Sequence, residues 1–361
     1  MLTFFSSLFF LIFPFLSPPA IVLPHHDLVK TERQTFLEEV KLKKPFLDTI
    51  ILVGPDHFSS YQKGLYYSNQ SWQLSDSTLS FASSLEEDLS PFMVENTSLI
   101  KNDHAIYNLV SELHSTWPKA KIFPFLIGQE VELSSLDSLS STISSRCKNN
   151  CLLVASVDFS HYLPTTLAQA HDSYTLSQLQ NQNLLAFDNI EVDSPQSLYL
   201  FVKHSQSRGA KKWHLSSHTN SGLIFNNPDT ETTTHIMGYY SKGRSAPSQT
   251  MVNLRLPYQI DPQENQSSLG PRFFYGTNFL NTDSTLPDFA IVTTETPTSI
   301  TKAFLPISNN NGLVNFLRGP EKHLRLQELF DTIQPDFCLT KDYFWGTLIY
   351  DRKCNSSTRT N

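Results

Sequence analysis

The sequence predicts an α/β fold, a mostly parallel central sheet flanked by helices, and three observations carry that reading. Short apolar runs recur up to about residue 240, stretches of helical period lie between them, and polar or histidine-bearing turns close the runs. The runs are AIVLPHH (20–26), TIILVGPDHF (49–58), KIFPFLIG (121–128) and CLLVASVDFSHY (151–162). None alternates polar with apolar, as strands covered on both faces do not. Helices are expected over 31–43, 103–117, 132–146 and 167–187, with Pro45, Pro118 and Pro164 at their boundaries. Strands alternating with helices make an α/β sandwich.

Later elements follow the same logic. Asp193-Ser194-Pro195 opens an apolar helix over 196–208, with proline suited to the first helical position. Lys212-Trp213-His214-Leu215 comes next, and TETTTHIMGYYSKG reads as a strand ending near Lys242. Residues 243–267, rich in Ser, Pro, Gln and Asn, read as a linker, which bounds a main domain at 20–242. Residues 268–350 read as a small C-terminal α/β appendage, with strands in PDFAIVTTE and PDFCLTKDYF and a helix over 321–333. Residues 351–361 read as a frayed, disordered tail.

MLTFFSSLFFLIFPFL opens the chain without a charged side chain, and Ser17-Pro18-Pro19 bounds it. Residues 1–19 are therefore expected to be a signal peptide or a membrane anchor, giving an exported or membrane-attached protein. Without that targeting the protein would be cytoplasmic. A net charge of −7 and the absence of a basic cluster interleaved with aromatics argue against a nucleic-acid partner. Cys147, Cys151, Cys338 and Cys354 lack CxxC spacing, so no zinc or dithiol motif is read. A loop-closing Cys147–Cys151 bridge is conceivable in an oxidising compartment, with free thiols the alternative.

The chemistry-bearing residues sit just after strands: Pro24-His25-His26, Gly54-Pro55-Asp56-His57 and Asp158-Phe159-Ser160-His161. Open α/β sheets bind ligands beyond the carboxyl ends of their strands, so these turns are expected to share one crevice. Imidazole is the commonest protein ligand for transition metals, and two histidines with one carboxylate on a single face leave positions open for water, oxygen or substrate. Asp56, Asp103, Asp158, Glu191 and Asp193 are the carboxylate candidates. Asp56 and Asp158 stand close to histidines, where capping or hydrogen bonding to imidazole is the commoner role. Asp193 or Ser194 is the natural cap ahead of Pro195, which leaves Glu191 without a structural task.

The series PHHD, ILVGPDHF, NDHAIYNL, KIFPFLIG, LLVASVDFSHY and TNSG, in that order, resembles the Memo family, including the AmmeMemoRadiSam system protein B group, over about residues 20–242. That resemblance implies a fold similar to class III extradiol dioxygenases, which hold non-haem Fe(II) with two histidines and a glutamate. Carried onto this chain, it makes His25 and His57 metal ligands and His161 the acid/base histidine. His104, in Asp103-His104, takes the family's acidic-His position. Aligned on Pro195, Glu191 falls where many members carry a cysteine ligand, a change that favours iron over soft copper binding.

The resulting expectation is a mononuclear centre of His25, His57 and Glu191 holding Fe(II) or another divalent metal. His161, His104 and Asp158 are the catalytic candidates, acting on an unknown small molecule or a peptide. His161 would shuttle a proton, Asp158 would orient it or cap the next turn, and His104 would stabilise a developing anion. A metal-dependent hydrolase and a non-catalytic metal- or peptide-binding protein are the alternatives. His26 and His218 are read as outer or surface residues, and no GxSxG elbow accompanies Ser160, Ser217 or Ser221.

Overall fold

The computed structural model describes residues 17–59, 61–162, 165–227 and 232–243, together with the backbone of five strands beyond residue 249. An eight-stranded sheet is built from β1 (Ala20–Leu23), β2 (Thr49–Pro55), β3 (Leu65–Tyr67), β4 (Val94–Glu95), β5 (Lys121–Ile127), β6 (Cys151–Ser156), β7 (Ala210–Asn220) and β8 (Thr234–Lys242). Its order is β4-β3-β5-β2-β6-β1-β8-β7. The central strands β5, β2, β6 and β1 run parallel, with Ile51 opposite Phe123 and Leu153, and Val22 opposite Ala155. β8 and β7 close one edge antiparallel, and β3 meets β5 antiparallel at the other. The expected α/β class is what the chain forms.

The longer helices over the sheet, among the described residues, are α1 (Lys30–Lys43), α2 (His104–Thr116), α3 (Asp137–Arg146), α4 (Thr165–Asn181) and α5 (Pro195–Ser207). Successive side chains of a strand face opposite ways, and both faces here are buried. Val22, Ile51, Val53, Phe123, Phe125, Leu153 and Ala155 pack with Leu139, Ile143, Leu198 and Phe201 of α3 and α5. Ile21, Leu23, Ile50, Leu52, Leu152 and Val154 pack with Phe36, Leu37 and Val40 of α1 and with Ile106, Leu109 and Leu113 of α2. Coverage on both sides is why these strands carry no polar alternation. Pro124 sits inside β5, where a proline cannot donate to a ladder. It is tolerated because β3 pairs only with Phe125, Leu126 and Ile127.

Two close connections fix the end of the sheet that matters for function. A Cβ on Gly54 would stand 2.7 Å from the Ala105 Cβ, so the bare glycine lets the first turn of α2 rest on β2. Arg33 of α1, wholly buried, gives Nη2 to Glu112 Oε1 of α2 at 2.6 Å and Nε to Glu112 Oε2 at 3.1 Å. Its Nη1 also donates to the carbonyl of His26. This paired fork is the bidentate geometry guanidinium favours, and it ties both helices to the turn after β1.

Several expectations need adjustment. Helix α4 ends at Asn181, and a separate 3-10 turn covers Leu184–Asn189, so the span 167–187 is two elements. Residues 212–215 belong to one long edge strand. Among the elements left unread are β3, β4 and the Trp72–Gln73 and Thr78–Leu79 pair. Cys147 and Cys151 form a disulfide with Cα atoms 5.0 Å apart, so the free-thiol alternative falls for this pair. The loop it closes is keyed into the domain by Lys44 Nζ, which donates to the Asn149 carbonyl at 2.8 Å.

Residues 1–16 lie outside the described residues, and no helix among those described is long and apolar enough to cross a membrane. Beyond residue 249 the described strands form an antiparallel sheet in the order Ser299–Pro306, Phe289–Thr296, Thr250–Arg255, Thr347–Asp351, Cys338–Phe344. One of them, Thr250–Arg255, falls inside the segment read as a linker. The helix expected over 321–333 and the tail from 352 onward lie outside the described residues.

Candidate metal centre

His25 follows β1 and is held from every side. Its backbone N–H donates to Asp158 Oδ1 at 3.1 Å, and its carbonyl accepts Asn108 Nδ2 at 2.9 Å. The ring Nδ1 stands 3.0 Å from Ser156 Oγ. Ser156 has one hydroxyl proton, and it goes to the Ala105 carbonyl at 2.6 Å. The serine oxygen is therefore left to accept from His25, which puts the ring proton on Nδ1 and a bare lone pair on Nε2. Burial pushes the imidazole down to about 3, against the upward pull of Asp158, so His25 is a neutral donor at any ordinary pH.

His57, in the turn after β2, is fixed by Asp103. The carboxylate accepts the His57 backbone N–H at 2.9 Å and lies 2.8 Å from Nδ1. Asp103 Oδ1 also caps α2 by accepting the Ala105 N–H at 2.9 Å. Burial works to raise this carboxyl, but the His57 and backbone hydrogen bonds outweigh it and hold it below its usual range. An ionised Asp103 on Nδ1–H turns His57 Nε2 outward as a ligand atom, the carboxylate–imidazole arrangement seen behind many metal-bound histidines. We expect Asp103→Asn, which keeps the helix cap, to weaken divalent-metal affinity about tenfold or more. A chelator-competition titration giving less than about a twofold change would contradict this role.

His104 begins α2 and stacks on His57, ring centroids 3.9 Å apart. The His25 ring stands edge-on to both, at 5.3 Å from His57 and 5.0 Å from His104. One nitrogen from each of the three lies within 4.8 Å of the others. Burial and the neighbouring His57 push His104 below the usual imidazole range, which keeps it neutral.

A second group of donors shares His25. Its Nε2 lies 3.4 Å from Asp158 Oδ2 and 3.3 Å from Asp193 Oδ2, and all three residues are buried. Asp158 and Asp193 are also tied to each other: the Asp193 N–H donates to the Asp158 carbonyl, and the Asp158 N–H donates to Asp193 Oδ2, both at 3.1 Å. Burial and the charge on Asp158 raise Asp193 well above the carboxylate range, whereas the surrounding histidines overcome burial and hold Asp158 low. The pair is thus pushed apart in proton affinity, with Asp193 the more ready of the two to hold a proton. Asp193 Oδ1 has no hydrogen-bond partner among the described residues. A bare Nε2 facing two buried carboxyls, one with an unpartnered oxygen, suits a cation.

The structure brings together His25, His57 and His104 of the expected site residues, with Asp158 alongside. Glu191 joins neither group; its carboxylate pairs with His171 Nδ1 on α4. The reason is local. Ser194, not Asp193, caps α5 by accepting the Ser197 N–H at 3.1 Å, so Asp193 is released to reach His25. His161 lies near enough to Asp158 for their charges to interact. Asp56 caps its own turn, accepting the N–H groups of Phe58 and Ser59. His26 Nδ1 accepts the Leu28 N–H at 3.2 Å. Sequence reasoning counted Asp193 among the carboxylate candidates but passed it over for Glu191, and it missed Ser156, which could have been read as the last residue of the strand preceding Asp158.

An α/β sandwich with imidazoles and buried carboxylates gathered beyond its parallel strands defines the class: an open α/β fold whose crevice carries side chains that could hold a metal ion. The chain belongs to the Memo-like protein family, whose profile matches residues 15–233. It is 21% identical to a MEMO1 family protein of Thermoplasma volcanium over 234 residues, 62% of this chain and 84% of that protein. It is 24% identical to another MEMO1 family protein, from Methanosarcina barkeri, over 213 residues, 56% of this chain and 79% of that one. Among solved structures, an uncharacterized protein of Escherichia coli K12 matches with a TM-score of 0.42 at 14% identity, covering 60% of this chain and 98% of its own.

Proposed function

We propose that this crevice is a mononuclear metal centre of dioxygenase type, holding Fe(II) for the oxidation of a small organic substrate. The observation that carries the reading is the convergence of three imidazoles, each with a nitrogen within 4.8 Å of the others. His25, His57 and His104 would hold the ion, and Ser156 and Asp103 aim the first two. Bound there, ferrous iron would supply oxygen activation and a positive grip on a substrate oxygen. The remaining work falls to the chain. His161 accepts a proton from a substrate hydroxyl and returns it later in the cycle, and ionised Asp158 steadies the imidazolium that forms between those events.

A hydrolase is the second reading, and the all-imidazole trio favours it, because three histidines are also the donor set of zinc sites that ionise water. Metal identity separates the two. Anaerobic purification followed by metal analysis of wild type, His57→Ala, His104→Ala and Glu191→Ala is the test. Stoichiometric iron in wild type and in Glu191→Ala, with loss in both histidine variants, is expected. Zinc in wild type favours the hydrolase. Iron retained by both histidine variants defeats the centre altogether, and loss on Glu191→Ala with retention on His104→Ala returns the glutamate to the ligand set.

A further inference from the structure

On the α4 side of the crevice lies a second polar cluster that the metal reading does not use. Asp172, wholly buried on α4, receives the Ser160 hydroxyl at 2.9 Å and the Thr234 hydroxyl at 2.8 Å on Oδ1. Its other oxygen, Oδ2, is 2.7 Å from His218 Nε2, and the His218 side chain is 25% exposed. Two hydroxyl donors and one ring nitrogen leave both oxygens of the carboxylate engaged. A carboxylate oxygen that accepts from Nε2 puts the ring proton there and turns a bare Nδ1 away from it.

Asn220 lies two residues along the same strand, so its side chain leaves the sheet on the same face as His218. Its Oδ1 accepts the Leu223 N–H at 2.8 Å, which fixes the amide orientation. Its Nδ2 is then a donor, and it is buried with no hydrogen-bond partner among the described residues. Buried donors of this kind are rarely left unmet without a ligand or water to meet them. The cluster adjoins the described crevice, because Thr234 exchanges backbone hydrogen bonds with Phe159 and Ser160, the residues leading to His161.

We propose that Asp172 and His218 form a second proton-accepting unit of the crevice, one that takes a proton from a neutral hydroxyl-bearing ligand whose carbonyl is held by Asn220. In that step the ligand O–H bond breaks, an N–H bond forms at His218 Nδ1, and the Asp172 carboxylate balances the imidazolium. His218 touches the ligand; Asp172 is the positioning residue behind it. An anionic ligand fits poorly, because the Asp172 carboxylate behind His218 would oppose its charge.

The test uses the metal-free full chain, so its outcome is independent of the metal reading. Nitrogen-15 NMR of the imidazoles, with the His218 signals assigned by their absence in His218→Gln, is expected to give the Nε2–H tautomer. Diethyl pyrocarbonate, scored by peptide mass spectrometry, is expected to modify His218, and the rate to fall about tenfold in Asp172→Asn. The Nδ1–H tautomer, or an unchanged rate in a folded Asp172→Asn, overturns the proposal. Should Asp172→Asn not fold, the tautomer in the wild-type chain decides alone.

Discussion

Metal-free protein is expected to lose stability steeply as the pH falls from about 6.5 to about 4.5. Burial pushes His25 and His204 down to about 3 and His235 to about 4, so each stays neutral in the folded chain while its unfolded counterpart gains a proton. The unfolded state therefore binds more protons throughout that window, and stability rises with pH. Each histidine contributes about 1.4 kcal/mol per pH unit between its unfolded and folded values. Asp193 works the other way, because its raised carboxyl holds a proton in the folded state that the unfolded chain releases as the pH climbs above about 4. These three histidines against one carboxyl give a net slope of about 2–3 kcal/mol per pH unit, and the lowered His104 and His214 act in the same direction. Urea unfolding at pH 6.5 and 5.5 measures it, and His204→Gln, remote from the crevice, should remove about one histidine's share. A midpoint indifferent to pH would contradict the account.

The second large effect belongs to Arg33. Truncation to alanine leaves Glu112, itself buried, without the guanidinium that both of its oxygens now meet. Breaking a buried pair from one side costs about 3–5 kcal/mol, since the remaining charge has neither partner nor water. Arg33→Ala is expected to shift urea unfolding by that amount. The double variant Arg33→Met, Glu112→Leu should recover most of it, because removing both charges leaves nothing uncompensated. A single variant within about 1 kcal/mol of wild type would show the pair to be energetically idle.

What the sequence made legible follows from what strands and turns require of it. Double-sided burial wrote β2, β5 and β6 as uninterrupted apolar runs, and the carboxyl-end rule then put His25, His57 and Asp158 in one crevice. Gly54 was visible as a glycine, but only the approach of Ala105 explains why nothing larger fits. The carboxylate was harder. Asp193 and Glu191 are two residues apart, and the choice between them turned on whether Asp193 or Ser194 capped α5. Capping was given to either, so Glu191 remained by elimination. With Ser194 taking the cap, Asp193 is free to face His25, and Glu191 turns to a histidine of α4 that sequence separation concealed. The Asp172–His218 pair was equally hidden, because hydrogen bonds across 46 positions leave no local pattern.

The imidazoles at positions 25, 57 and 104 and the acids at 158 and 193 come from five stretches of chain that no short peptide contains. Three of the five are aimed by a partner from another stretch: Ser156 behind His25, Asp103 behind His57, the Asp158 amide behind Asp193. The pocket consequently has no linear epitope or minimal fragment. Antibodies raised against synthetic peptides will not recognise it, inhibitor screens need the intact domain, and recovery of a bound ion's optical signature would time the last step of refolding.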